Sequence, residues 1–539
     1  MGTIRQTELP SDASSGTRRS PSLLKALDRV LSRAGFPYGS NCLLFREAQF
    51  GRDALEVAED LLEMRPAIAR AVIRQLAALQ GTVVDPRTEE EPGKIHHEHR
   101  ALIMEGQPVS QESAAIFRRL AQQWELDQTE DELRSLEELT TYMTVDATPL
   151  YVRLVSEYCK LYGGDILGGE YTPRRGAAGG PKPTIRDSVS KAVDWITSRI
   201  ECSDIGLLEF QRMTPHGHHF QAWKDGGSSY LHPDGAYGNY NAPIASIEVQ
   251  GLAYDALRSA PSLVGDVPQE QQQRWSALAE RVQQMVLRLF WMPDERYFAM
   301  AIDRDPRTGR ARQMNLISSN PGALLDSGLF DTLDFQTRQT NVAAIVERVY
   351  SDEFLTPIGI RCNSLIHMDL LGYPAYQGTQ TVWHKETYDI AKGFSRQGFP
   401  RLARDLENRL LNAINVTGGA TEFLYMLSDN RVDYDPLDRV PREDAEEIVA
   451  TNVPENDQAW SISAAFAVKW RRGRRQPPRP LSTTWGSDLE DRLLKKIAPV
   501  KLLRTVGAIE QAFPTDYSFR INTLEGWERE GAYARRHHL

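Results

Sequence analysis

ALEVAEDLLEMRPAIARAVIRQLAALQG, residues 54–81, carries two apolar stripes at helical spacing. Leu55, Ala58 and Leu61 recur on one face of the first segment, and Ile68, Val72, Leu76 and Leu79 on one face of the second. Pro66 suits the first turn of a helix, where its missing amide donor is not needed, and Gly81 suits a C-terminal stop. The spacing predicts helices over 54–64 and 67–80, joined as an αα-hairpin.

The same pattern repeats outward from this hairpin. Thr148 and Pro149 supply a cap and first turn ahead of Leu150, Leu154, Val155, Tyr158 and Leu161, and Gly163 and Gly164 end that element. Ile185, Val189, Ala192, Val193 and Ile196 form another stripe, and Trp275, Leu278, Val282, Met285 and Leu289 a longer one after Pro268. Helical spacing also covers about 322–330, 333–349, 385–395, 399–414 and 457–470, while β character is confined to short pieces near 297–303 and 354–361. Helical hairpins in series must each bury one stripe, which an open solenoid or a closed toroid achieves. A solenoid carries a fixed repeat period, and none is present. The expected fold is all-α, a closed α/α toroid with a site at one mouth.

Composition sets the outer limits. With 41% hydrophobic and 25% charged residues the chain reads as a globular protein, and no apolar run approaches the ~18 residues that span a bilayer, so no membrane partner is expected. Cys42, Cys159, Cys202 and Cys362 lack CxxC spacing, which points to free thiols in a reducing cytoplasm and away from disulfides or zinc. A net charge of −10 opposes nucleic-acid binding. Residues 1–22 lack the apolar segment of a secretory signal and read as a disordered leader. The helical body then runs over 23–470, a basic proline-rich linker over 471–480, and a short C-terminal helical extension over 481–539. That extension is either an appended element or a means of forming a homo-oligomer.

One long polar stretch interrupts the helices: HFQAWKDGGSSYLHPDGAYGNYNAPIASIEVQGLAYDAL, residues 219–257. It sets Trp223, Lys224, Asp225, Tyr230, Asp234, Tyr237 and Tyr240 in a glycine-broken loop directly before a helical segment. Aromatic faces interleaved with carboxylates suit a sugar, whose C–H faces stack and whose hydroxyls take charge-assisted hydrogen bonds. The competing reading is a structural loop held by its tyrosines. His96, His97 and His99 in KIHHEHR lack the HExxH spacing of a zinc site, and no cofactor fingerprint is present, so neither metal nor cofactor is expected.

Several motifs, in order, resemble the amylo-α-1,6-glucosidase region of glycogen debranching enzymes and its bacterial relatives, part of the six-hairpin toroid group. They include FGRDALEVAEDLL from Phe50, TVDATPLYVRLVSEY from Thr144, QAWKDGG, SSNPGALLDSGL from Ser318, TVWHKETYDIAKG from Thr381, ATEFLY from Ala420 and DQAWSISA from Asp457. The resemblance spans roughly residues 35–470 and implies an (α/α)6 fold with inverting hydrolysis of a terminal α-glucosidic bond, α-1,6 linkages included. In that chemistry a protonated carboxyl donates to the leaving oxygen while an ionised one activates water on the opposite face. Residue by residue, the resemblance makes Asp225 the general acid and Glu422 the general base, with Glu386 and Glu455 as substitutes for the base. It makes Arg52 and Asp53 a grip on the terminal sugar's hydroxyls, a use that suits a guanidinium fork beside a carboxylate. Trp383 and Trp460, with Tyr237 and Tyr240, are stacking candidates, with core packing as the competing reading. His384, Lys385 and Glu386 stand where relatives carry Pro-His-Asp after the Val-Trp, and Gly226, Gly227, Ser228 and Ser229 follow Asp225 where relatives carry Ser and then Trp-Asp-Ser, so a second carboxylate near the acid is absent. An alternative within the group is hydrolysis of glucosylglycerate or mannosylglycerate, with Lys385 or Arg361 pairing the substrate's carboxylate. A rival from another class is a carbohydrate-binding toroid without turnover.

Overall fold

The computed structural model describes residues 23–42, 44–123, 136–174, 181–215, 217–373, 375–427, 432–433, 452–473, 484–497 and 499–500. The leader expected over 1–22, most of the linker and the extension beyond 500 lie outside these residues.

Helices alternate between an outer and an inner position along the chain. The outer ones are Leu23–Val30, Pro66–Ala78, Ile185–Cys202, Gln269–Met285, Phe335–Val349 and Pro400–Thr417. The inner ones are Gly51–Asp60, Ala147–Tyr162, Ile247–Val264, the 3-10 segment Asn320–Asp326, His384–Arg396 and Ala459–Gly473. Each inner element packs on the next, and Ala459–Gly473 packs back on Gly51–Asp60, which closes the ring. The all-α toroid expected from the stripes is therefore present, with six inner and six outer elements. Its core is continuous, running through Leu55, Leu154, Ile247, Leu324, Ile390 and Ile462.

One inner element differs from expectation. Residues 322–330 form two 3-10 turns, Asn320–Asp326 and Gly328–Phe330, where the spacing predicts an α-helix. The neighbouring inner helix approaches too closely for a full α-helical girth: a Cβ on Gly393 would lie 2.7 Å from Leu325 Cβ, and one on Gly322 would lie 2.9 Å from Ile390 Cγ1. The linker boundary also moves. The sixth inner helix continues to Gly473, and Arg471 and Arg472 pair with Glu407 at 2.7 and 3.2 Å, so these charges belong to the toroid and not to a solvated linker.

Strict alternation makes all inner elements parallel, so their N-termini meet at one end of the ring. Connections at the other end are mostly short, as at 61–65, 265–268 and 397–399, with 163–184 the exception, whereas those leading into the N-termini are long and carry the small sheets. The strands Gln49–Phe50, Ala245–Ser246 and Thr381–Trp383 each run directly into an inner helix. Long ordered loops on a rigid ring build a site at this mouth. Among the described residues no helix is long and apolar enough to cross a membrane.

Of the C-terminal extension, Ser487–Lys496 is a helix that packs on Pro400–Thr417. Glu490 accepts from the Arg401 and Leu402 amides at 2.7 and 3.1 Å, capping the open end of that outer helix, while Leu489 and Leu493 are buried. Truncation after Pro480 removes the cap and both contacts, and is expected to lower Tm by about 5 °C in a thermal melt. Light scattering of the same variant tests the oligomer expectation.

Candidate active site

The mouth is lined by first-turn residues of the inner elements. Arg52 sits at the start of Gly51–Asp60, Glu248 at the start of Ile247–Val264, Asn320 on the 3-10 segment, Lys385 and Glu386 on His384–Arg396, and Trp460 on Ala459–Gly473, with Asp146 just ahead of Ala147–Tyr162. Helix N-termini carry partial positive charge, so six converging ones favour the carboxylates gathered there. Gly51 makes the approach possible: its amide donates to His97 O at 2.9 Å, and a Cβ there would lie 2.1 Å from His96 O.

Arg52 organises the acidic side. Its Nη1 donates to Asp146 Oδ2 at 3.0 Å and its Nη2 to Asp225 Oδ2 at 2.8 Å. Burial works against this guanidinium, but Asp146, Asp225 and Asp53 outweigh it and hold the charge. Asp53 is pushed up to about 7, by burial first, with Arg52 acting in the opposite direction. The Asp225 side chain remains 25% exposed, which leaves it open to a ligand. Lys224 points away from it: the ammonium is fully buried and donates to Ser319 Oγ at 2.8 Å and Cys362 O at 2.7 Å, with Glu386 Oε1 at 3.3 Å.

Glu422 arrives from a different element, ahead of the strand Phe423–Met426. Tyr376 donates its hydroxyl to Glu422 Oε1, and the Glu455 amide donates to Oε2 at 3.2 Å. Burial raises the Glu422 carboxyl well above its usual range; Glu455 adds to this and the Tyr376 hydrogen bond opposes it. Tyr376 also feels the charge of Asp225, and its ring edge lies 3.2 Å from where a Gly226 Cβ would stand. The next residue, Gln377, accepts from the Gly226 amide at 3.0 Å and donates to Trp223 O at 3.2 Å, so it clamps the chain on both sides of Asp225. A single dipeptide thereby holds the surroundings of both carboxylates.

Beneath the mouth lies a cavity of about 90 Å³, whose wall includes Arg52, Asp146, Trp223, Glu248, Asn320, Glu386 and Trp460. Among the described residues, four buried atoms on this wall find no hydrogen-bond partner: Arg52 Nε and Trp460 Nε1 as donors, Asn320 Oδ1 and Glu386 Oε2 as acceptors. Mixed donors and acceptors between two indoles match a polyol, which offers both kinds of group from each hydroxyl. Deeper along the axis, by about one to two helical turns or ~6–10 Å, lie Glu56, Glu59, Asp326, Asp389, Lys392 and Arg153, and the Lys385 ammonium joins their charges. Lys385 Nζ contacts Glu56, Asp60 and Asp389 at 2.7, 3.1 and 2.5 Å. Lys385→Met leaves those acids without their nearest cation, and we expect a loss of about 3 kcal/mol, read by denaturant titration.

Of the substrate-contact residues expected from sequence, Arg52, Trp223, Lys385, Glu386 and Trp460 line this cavity. Asp53 is buried beside Arg52. Several others lie outside its wall. Tyr230 is fully buried and donates to Ser246 Oγ at 2.9 Å; with Lys224 it has no polar atom left for a ligand. Asp234 is an exposed turn residue accepting from the Ala236 amide at 3.0 Å, and Tyr240 stacks on His219 with centroids 4.2 Å apart. Tyr237 is half-buried at the Leu231 bridge, and Trp383 is core, packed on Phe423, Trp223 and Trp460. Both cations expected to pair an acidic aglycone are engaged elsewhere: Lys385 by its three carboxylates, and Arg361, buried, by Thr379 O and Met426 O at 3.1 and 2.6 Å. The histidine motif forms the strand Glu98–Ala101 and the residues before it; among the described residues no acidic, histidine or cysteine cluster suits a metal. Asp146, Glu248, Asn320, Tyr376 and Gln377 were missed by sequence reasoning. The first three sit at starts of inner elements, so reading each helix start as mouth-facing finds them.

The fold defines the class as an α/α toroid, and the family model that this chain matches is that of a glycoside hydrolase. Residues 133–389 match the family model described as Amylo-alpha-1,6-glucosidase, so the resemblance read from the motifs is met over that segment. No curated protein matches the chain in sequence. Among solved structures, the GH63 mannosylglycerate hydrolase from Thermus thermophilus in complex with glucose is 14% identical over 84% of this chain and 99% of its own, with a TM-score of 0.50. At that identity the likeness concerns the fold. An uncharacterized conserved protein from Thermus thermophilus is 15% identical over 84% of this chain and 99% of its own, and a wild-type glycosidase 11% over 84% and 96%, each with a TM-score of 0.48.

Proposed function

We propose that the protein is an inverting exo-acting α-glycosidase that removes a terminal sugar, with Asp225 as general acid and Glu422 as general base. The observation that carries this is the shared Tyr376–Gln377 dipeptide, which holds the surroundings of both carboxylates beside a cavity with unpaired donors and acceptors. The terminal ring enters that cavity, its hydroxyls pairing with Arg52, Asn320, Glu386 and Trp460 and its C–H face against Trp223. Asp225, partly exposed, protonates the leaving oxygen. Glu422, held by Tyr376, draws a proton from water on the opposite face. A blind cavity closed by paired charges takes one ring, which favours chain ends. The acid excess of its wall and the engagement of Lys385 and Arg361 favour a neutral substrate, α-1,6-linked glucosides among them.

A proton NMR time course on maltose-type and isomaltose-type glucosides and a glycerate glycoside tests this reading. Release of the inverted anomer first from a neutral α-glucoside is the expected result. Line broadening without cleavage across the panel overturns it in favour of a binding protein.

A further inference from the structure

We infer that Glu455 is a positioning residue for the base: its main chain fixes the carboxylate of Glu422, and the charge of its own carboxylate raises the pH below which that base stops working. The inference rests on the reading of Glu422 as the base. Glu422 and Glu455 exchange two hydrogen bonds, Glu422 N to Glu455 O at 2.8 Å and Glu455 N to Glu422 Oε2 at 3.2 Å. Tyr376 occupies the other oxygen, so Glu422 has no free rotation away from its neighbour. The Glu455 side chain is itself buried in a cradle from the N-terminal part of the toroid, where Ser40 Oγ donates to Oε2 and the Leu44 amide to Oε1 at 2.9 Å.

The charges around this pair do not cancel it. Asp53 is a further carboxyl facing Glu422. His384, whose Nε2 lies 3.2 Å from Thr421 Oγ1, is held neutral by burial, its pKa lowered to about 3. Arg100, near Glu455, spends its guanidinium on Glu98 and on Leu44 O at 2.7 Å. After burial, the charge of Glu455 is the next influence that opposes ionisation of Glu422. Burial pushes Glu455 up to about 7, with its Ser40 and Leu44 hydrogen bonds opposing. Ionised Glu455 thus helps keep Glu422 protonated to higher pH, and protonated Glu422 is inactive as a base.

The test is the pH profile of kcat/KM for wild type, Glu455→Gln and Ser40→Ala. Gln keeps the shape and most hydrogen bonds but removes the charge. The acid limb of Glu455→Gln is expected about one pH unit lower, so that below the wild-type midpoint kcat/KM relative to its plateau is up to about tenfold higher than in wild type. Ser40→Ala withdraws a donor from the ionised form of Glu455 and shifts the limb the same way by less; it keeps the test available should Glu455→Gln fail to fold. A readout independent of turnover is Tm against pH. Both carboxyls bind protons more tightly in the folded state, so stability falls as pH rises above the ordinary value of 4.5, for Glu455 through about 7, and Glu455→Gln is expected to flatten that fall. Lower activity at every pH with an unmoved limb and an unchanged Tm slope makes Glu455 merely structural and overturns the inference. Glu422→Gln run beside it separates the two failures: full turnover in that variant removes the base assignment instead.

Discussion

Asp225→Asn lowers kcat about 10²–10⁴-fold, the range lost with a general acid. The asparagine Oδ1 still accepts from Arg52, so the loss is expected without unfolding, and a melt within a few degrees of wild type checks that. The diagnostic lies in the leaving group. An alkyl or sugar alcohol departs poorly without a proton, whereas an acidic phenol departs readily as its anion. The loss is therefore expected to be large on a disaccharide and small on a nitrophenyl glycoside. An equal loss on both sinks the assignment of Asp225 as acid, because it would mean that the residue acts in binding alone. Arg52 bears on this test. Its fork bridges Asp225 and Asp146, so moving the carboxyl also disturbs Asp146, which is itself anchored by Thr144 Oγ1 at 2.6 Å.

Glu422→Gln is expected to cost a similar factor, about 10²–10⁴ in kcat, but with no dependence on the leaving group, since activation of water does not involve it. Steady-state kinetics on the same two substrates distinguish the patterns. The other two carboxyls considered for the base behave differently. Glu386 is tied by one oxygen to Lys224 and Ser319 at the wall of the cavity, so Glu386→Gln weakens sugar binding and raises KM. Glu455 reaches the site only through Glu422, so its replacement changes the pH profile and not the nature of the reaction. A leaving-group-independent collapse of kcat in either of those variants, with Glu422→Gln active, moves the base to that residue.

Most helices of the ring were legible because each states its own face and its own ends. Leu55 and Leu76 declare the stripes, and Pro66 and Pro400 declare starts. Lead-in strands of two or three residues, such as Gln49–Phe50, were not legible, because so short a stretch has no period. In the site, the motif residues Arg52, Asp225 and Trp460 could be picked by chemical type. Lys224 and Tyr230 have equally suitable types yet face inward, since the loop that carries them is folded by partners far along the chain: Ser319 and Cys362 for one, Ser246 for the other. Tyr376 and Gln377 were invisible for the converse reason, as an aromatic and an amide in an irregular loop carry no local signal of what they will hold.

By itself, then, the sequence determined what local rules govern: helix positions, the absence of a repeat period, the closed-toroid expectation and the residue types present before each inner helix. Tertiary structure alone decided which first turns meet at the mouth, that Arg52 and not Lys224 neighbours Asp225, and that Glu455 backs Glu422. Helical spacing is read over a few neighbouring residues. The site is assembled from chain segments hundreds of positions apart, whose meeting depends on closure of the whole ring.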